Sequence, residues 1–86
     1  MDIVNVVGTA GGVVSSVTFL PQVIKTAKEK SAKNISLPMF LLVTFSVILW
    51  LAYGIILKST PIIFTNTCVL IMSLIMIYLK LKYKDN

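Results

Sequence analysis

The chain has 86 residues and a net charge of +5, with 57% of its residues hydrophobic and only 13% charged. That leaves too little polar material to cover a water-facing surface, which excludes an ordinary soluble domain and points to a membrane protein. With no histidine and a single cysteine, Cys68, a metal site has little to be built from, and no cofactor is expected.

The charges divide the chain. None lies between Asp2 and Lys25, between Lys33 and Lys58, or between Lys58 and Lys80. Each gap is close to the ~20 residues that a helix needs to cross a hydrocarbon core of ~30 Å. The expected fold is all-α: a single domain over residues 1–86, with transmembrane helices at 3–24, 37–57 and 60–80 and a loop at 25–36.

The first run has no basic residue ahead of it, exceeds a typical export-signal core and lacks a convincing small-x-small cleavage site, so it is expected to stay in the mature protein. It carries Gly8-x-x-x-Gly12 and Gly12-x-x-x-Ser16, spacings that let helices approach closely in lipid. Asn5, Gly8, Gly12, Ser15, Phe19 and Gln22 fall near one helical face, so the stripe reads either as a packing face or as the lining of a polar path. Towards its end the sequence TFLPQVIKTAKEKSAK places Pro21 and Gln22 within an apolar helix. The proline removes one helical hydrogen bond, frees the carbonyl of Val17 and is expected to bend the helix.

The loop at 25–36, at ~3.3 Å per residue, reaches past an intervening helix, so the first and second spans need not be neighbours. Ser36 is the expected cap of the second span, with Pro38 in its first turn. Thr60 is the expected cap of the third, with Pro61 as its first helical residue. Lys58, Ser59 and Thr60 then make a tight helical hairpin.

Lys25, Lys28, Lys30 and Lys33 lie in the first loop and Lys80, Lys82 and Lys84 in the tail, whereas Lys58 stands alone on the opposite side. This asymmetry places the first loop and the C-terminus in the cytoplasm and the N-terminus outside. It also reads the basic charge as membrane topology and contact with lipid head groups, not as a nucleic-acid surface.

No Asp, Glu, Lys, Arg or His lies inside the three runs. A proton-coupled pump needs an ionisable relay there, so the pattern favours passive movement of a neutral solute. Trp50 and Asn66 stand out by depth, at ~10 and ~9 Å below the same end of the second and third spans. An indole face packs on the C–H face of a sugar ring, and a carboxamide offers donors and an acceptor to hydroxyls. Taken singly, each also reads structurally, Trp50 as an anchor or core residue and Asn66 as interhelical glue. Tyr53, one turn above Trp50, is a belt residue or a gate. No nucleophile, base or metal site supports an enzyme.

The segments FLPQVIKTAKEKSAKNIS, ILWLAYG and FTNTCVL together resemble the bacterial SemiSWEETs, half-sized relatives of the SWEET sugar transporters in the PQ-loop family, over nearly the whole chain. The resemblance implies a three-helix unit in the spatial order 1-3-2, working in the inner (plasma) membrane as a parallel homodimer with the sugar path on its two-fold axis. It further implies facilitative transport of mono- or disaccharides by alternating access, with Trp50 and Asn66 flanking the sugar and Pro21 and Gln22 as a hinge. Met39, Phe19 and Tyr53 would act as gates. Independently, three helices hardly enclose a solute-sized cavity, and the lysine asymmetry favours two chains inserted the same way round.

The chain departs from the family pattern at Val43, where a bulky aromatic is common, and at Leu57 and Ser59, where an arginine and an acid form an outer gate. Two other readings remain open: a PQ-loop carrier of another small solute such as an amino acid, and a small assembly or regulatory subunit docking through the glycine face.

Overall fold

The computed structural model describes residues 2–83; Met1 and residues 84–86, and with them the tail lysine Lys84, lie outside the described residues. All regular structure among the described residues is helical: α1 (Ile3–Glu29), α2 (Leu37–Leu57) and α3 (Thr60–Lys82), each long and apolar enough to cross a membrane.

Local chemistry sets the ends of these helices. Asp2 caps α1 by accepting the Asn5 N–H at 2.8 Å. The helix then runs unbroken through Pro21 and past residue 24 to Glu29. Lys25 ends the apolar stretch but not the helix, because lysine, alanine and glutamate are good helix formers. Lys30 stops it by turning left-handed, at φ 51°, with its N–H on the carbonyl of Thr26 at 3.0 Å. Ser36 caps α2 through the Met39 N–H at 3.2 Å, and Pro38 sits in the first turn.

The α2–α3 connection fuses two caps. Lys58 is left-handed at φ 57°, its N–H reaches the carbonyl of Ile55 at 3.1 Å, and the Ser59 N–H reaches that of Gly54 at 2.9 Å. This is a Schellman closure, made here by a lysine where glycine is usual. Ser59, in extended backbone, is also the N-cap of α3, although its side chain makes no capping bond. Thr60, the expected cap, is instead the first helical residue and Pro61 the second, because the Schellman bond fixes Ser59 as the pivot.

Helix α3 packs against both α1 and α2, whose backbones do not approach each other closely, so the spatial order is 1-3-2. The extents are 47 × 21 × 13 Å. A helix with side chains is ~10–12 Å across, so the molecule is a layer one helix thick. Residues 30–36, at ~3.3 Å each, still exceed the width of the helix they must pass. Burial is correspondingly sparse, and most large apolar side chains lie bare, as lipid contact permits.

Where helices meet, small residues let them close. A Cβ on Gly8 would come 3.0 Å from Pro61, one on Gly54 would come 2.6 Å from Ile62, and one on Gly12 would overlap Thr65 Oγ1. Gly11 faces open space. The glycine stripe of α1 is thus a packing face at Gly8 and Gly12, while Ser15 and Gln22 stay exposed. At the opposite end of the layer Phe40, Met76 and Leu79 form the buried core, with Phe19 packed against it.

Candidate functional site

Trp50 projects from α2 seven residues before the helix ends at Leu57, which places it ~10 Å from that end. Half of its surface, 52%, is uncovered by the chain. Tyr53, one turn on, meets it edge to face, with ring centroids 5.6 Å apart and planes at 87°. The quadrupoles of two aromatic rings favour this arrangement, and it braces the indole from one side. With Leu49 the two rings line an open, largely apolar recess of about 260 Å³. A bare, braced aromatic face suits the C–H face of a ring-shaped polar solute.

Asn66 lies on α3 six residues from Thr60, ~9 Å from the same end, and is half-buried. Its Nδ2 donates to the carbonyl of Ile62 at 2.9 Å, a bond that fixes the rotamer. Among the described residues no group donates to its Oδ1, which remains an available acceptor. Within one chain Asn66 does not line the recess that holds Trp50. The two residues share a height and not a cavity.

The other residues singled out from the sequence sit towards the far end. Pro21 and Gln22 are exposed on α1, and Gln22 lines a polar recess shared with the first loop. Met39 is half-exposed in the first turn of α2. Phe19 packs against the buried cluster of Phe40, Met76 and Leu79. One half of the layer therefore carries Trp50, Tyr53 and Asn66, and the other carries Phe19, Pro21, Gln22 and Met39.

The family pattern described as a PQ loop repeat matches residues 3–63. The chain is 33% identical over 81 residues to a sugar transporter SemiSWEET of Bradyrhizobium diazoefficiens, covering 94% of each. It is 35% identical over 77 residues to a sugar transporter SemiSWEET of Leptospira biflexa, covering 90% of this chain and 91% of the relative. The chain belongs to the PQ-loop family, in its SemiSWEET branch. Its fold superimposes on the crystal structure of a bacterial homologue of SWEET transporters with a TM-score of 0.91 at 34% identity, covering 95% of this chain and 99% of the other. Both relatives are named as transporters, a non-enzymatic function.

Two polar features of this membrane chain are absent from the sequence reading. Thr44 of α2 and Ser73 of α3 share a 2.6 Å hydrogen bond, and Thr44 Oγ1 also donates to the carbonyl of Phe40 at 2.7 Å. Ser73 is 1% exposed, so this is a buried polar clasp between helices. Lys80 folds back to donate from Nζ to the carbonyl of Ala32 at 2.9 Å, tying the first loop to α3. The one local signal for the clasp is a threonine four residues after a helical carbonyl, the usual geometry for back-bonding.

Proposed function

We propose that this protein carries mono- or disaccharides passively across the inner membrane by alternating access in a parallel homodimer. The observation that carries this reading is the half-bare Trp50, braced by Tyr53 ~10 Å inside a span that has no Asp, Glu, Lys, Arg or His. The names of the two relatives supply the solute class. A layer one helix thick encloses nothing by itself, which favours a second copy facing the first. In that dimer Trp50 and Asn66 occur twice around the axis and flank the sugar.

Pro21 and Gln22 form the hinge in this reading, and Met39 and Phe19 the inner gate. Tyr53 forms the outer gate. A bend at Pro21 needs no helical hydrogen bond to break there, because proline offers no N–H to the carbonyl of Val17. The lysine distribution supports an orientation with the first loop and the C-terminus in the cytoplasm and the N-terminus outside.

The test is uptake of labelled glucose and sucrose into liposomes holding the purified protein, with and without a pH gradient, beside Trp50→Ala and Asn66→Ala. Saturable uptake that ignores the gradient and collapses in both folded variants is the expected result. A well-folded dimer that moves neither sugar, or moves one only with a proton gradient, overturns it.

A further inference from the structure

Beside the last turns of α1 lies a polar recess of about 380 Å³, walled by Gln22, Lys25 and Glu29 on the helix and by Ser31, Lys33 and Asn34 on the loop. We propose that this recess binds the phosphoethanolamine headgroup of a membrane lipid.

Depth is the first argument. The uncharged run of α1 ends at Ile24, and the helix continues to Glu29, so Lys25 and Glu29 stand just beyond the apolar segment, where head groups lie. Vacant charge is the second. Two ammonium groups and a carboxylate border one recess, yet among the described residues the side chains of Lys25, Lys33 and Glu29 form neither ion pair nor hydrogen bond. Lys25 and Glu29 are a helical turn apart with the lysine first, the less favourable order for a pair, and they do not close on each other.

The walls are fixed in advance. The carbonyl of Ala32 receives both Lys80 Nζ at 2.9 Å and the Ile35 N–H at 3.0 Å, and Ala32 is 1% exposed. Thr26, 5% exposed, holds the helix side through its bond from the Lys30 N–H. A ligand therefore pays little to order the site.

The charge pattern selects among head groups. Lysine ammoniums donate charge-assisted hydrogen bonds to phosphate oxygens. Glu29 opposes a plain anion in the same recess but accepts from a primary ammonium. Phosphoethanolamine carries both complements. A choline has no N–H to give to Glu29, and a glycerol headgroup brings no cation.

The experiment is native mass spectrometry of the full chain in detergent, offered equimolar phosphatidylethanolamine, phosphatidylglycerol and phosphatidylcholine with identical acyl chains. Retention of phosphatidylethanolamine about tenfold above the other two is expected, the worth of one charge-assisted hydrogen bond. Lys25→Met with Lys33→Met should abolish that preference, and Lys25→Arg with Lys33→Arg should keep it. Glu29→Gln should bring phosphatidylglycerol level with phosphatidylethanolamine. Equal retention of all three lipids, or unchanged retention in the methionine and glutamine variants, overturns the proposal. Displacement of the lipid by an equal concentration of free O-phosphoethanolamine overturns the lipid as its source. Sugar is absent from every arm, so failure here leaves the transport reading to its own test.

Discussion

Gly12 of α1 lies so close to Thr65 of α3 that a Cβ on residue 12 would overlap the threonine hydroxyl. One residue earlier, on a different face of the helix, Gly11 meets nothing within 4 Å. Adjacent glycines thus have opposite tolerance. Gly12→Val forces α1 and α3 apart and is expected to cost ~1–3 kcal/mol, the range for overpacking. Gly11→Ala should stay within ~0.5 kcal/mol of the parent. Thermal unfolding of the detergent-solubilised protein separates the two, and equal losses would show that the α1–α3 contact is not set by Gly12.

The Thr44–Ser73 clasp is the second test of packing. Interhelical hydrogen bonds in membrane proteins average ~0.6 kcal/mol and reach ~1.7 kcal/mol. Because Ser73 is 1% exposed and no water competes for it, a coupling in the upper half of that range is expected from a Thr44→Val, Ser73→Ala double-mutant cycle. Additive single-mutant losses would mean that each hydroxyl is satisfied by the Phe40 carbonyl alone.

These contacts also mark what a sequence reveals. Three helices were legible because lysines interrupt otherwise uncharged runs, and the α2–α3 hairpin because Pro61 follows so closely on Lys58. The end of α1 was not legible, since charge reports where lipid stops while helix propensity carries the chain on to Glu29. Ser59 and Thr60 are neighbouring hydroxyls of similar capping strength, and only the bond from the Ser59 N–H to Gly54 decides between them. The Thr44–Ser73 and Lys80–Ala32 bonds join residues far apart in sequence, where no periodicity bears on them. Counting residues from a helix end fixed the heights of Trp50 and Asn66 but not their azimuths. That is why their shared depth did not imply a shared cavity in one chain.

Trp50 is the only tryptophan in the chain, so its emission reports its own surroundings without interference. If it stacks on the sugar, titration with the transported solute should shift or quench that emission saturably. Asn66→Ala should weaken the apparent Kd about tenfold, the loss of ~1.4 kcal/mol, while leaving the starting spectrum alone. Emission unchanged by a sugar that the protein does transport would place the binding site away from Trp50.

Pro21 offers a sign test of the hinge. It lies exposed inside a continuous helix, where proline deprives the carbonyl of Val17 of its N–H partner. Pro21→Ala restores that bond, so the folded chain should gain ~1–3 kcal/mol. If bending at this point absorbs the opening of one mouth, the same variant should bind sugar normally and turn over severalfold more slowly. Counterflow alongside equilibrium binding distinguishes the outcomes. Full turnover in a stabilised Pro21→Ala protein would remove the hinge from residue 21.

Lys80 is part of α3, yet its ammonium holds the carbonyl of Ala32 in the first loop, so the loop is tied to the helix that separates α1 from α2. The Ile35 N–H already satisfies that carbonyl, so Lys80→Met leaves no buried acceptor empty and removes only the cross-link between elements. The expected effect is therefore local. Overall stability should fall by no more than ~1.5–3 kcal/mol, the range for one hydrogen bond to a charged group. Trypsin cleavage after Lys30 or Lys33 should accelerate markedly, because proteolysis follows the population of locally opened loop. Lys80→Arg, which keeps a donor at similar reach, should restore protection. Cleavage at the parent rate in Lys80→Met would show that the loop is held instead by the packing of Ala32 and Ile35 against the core.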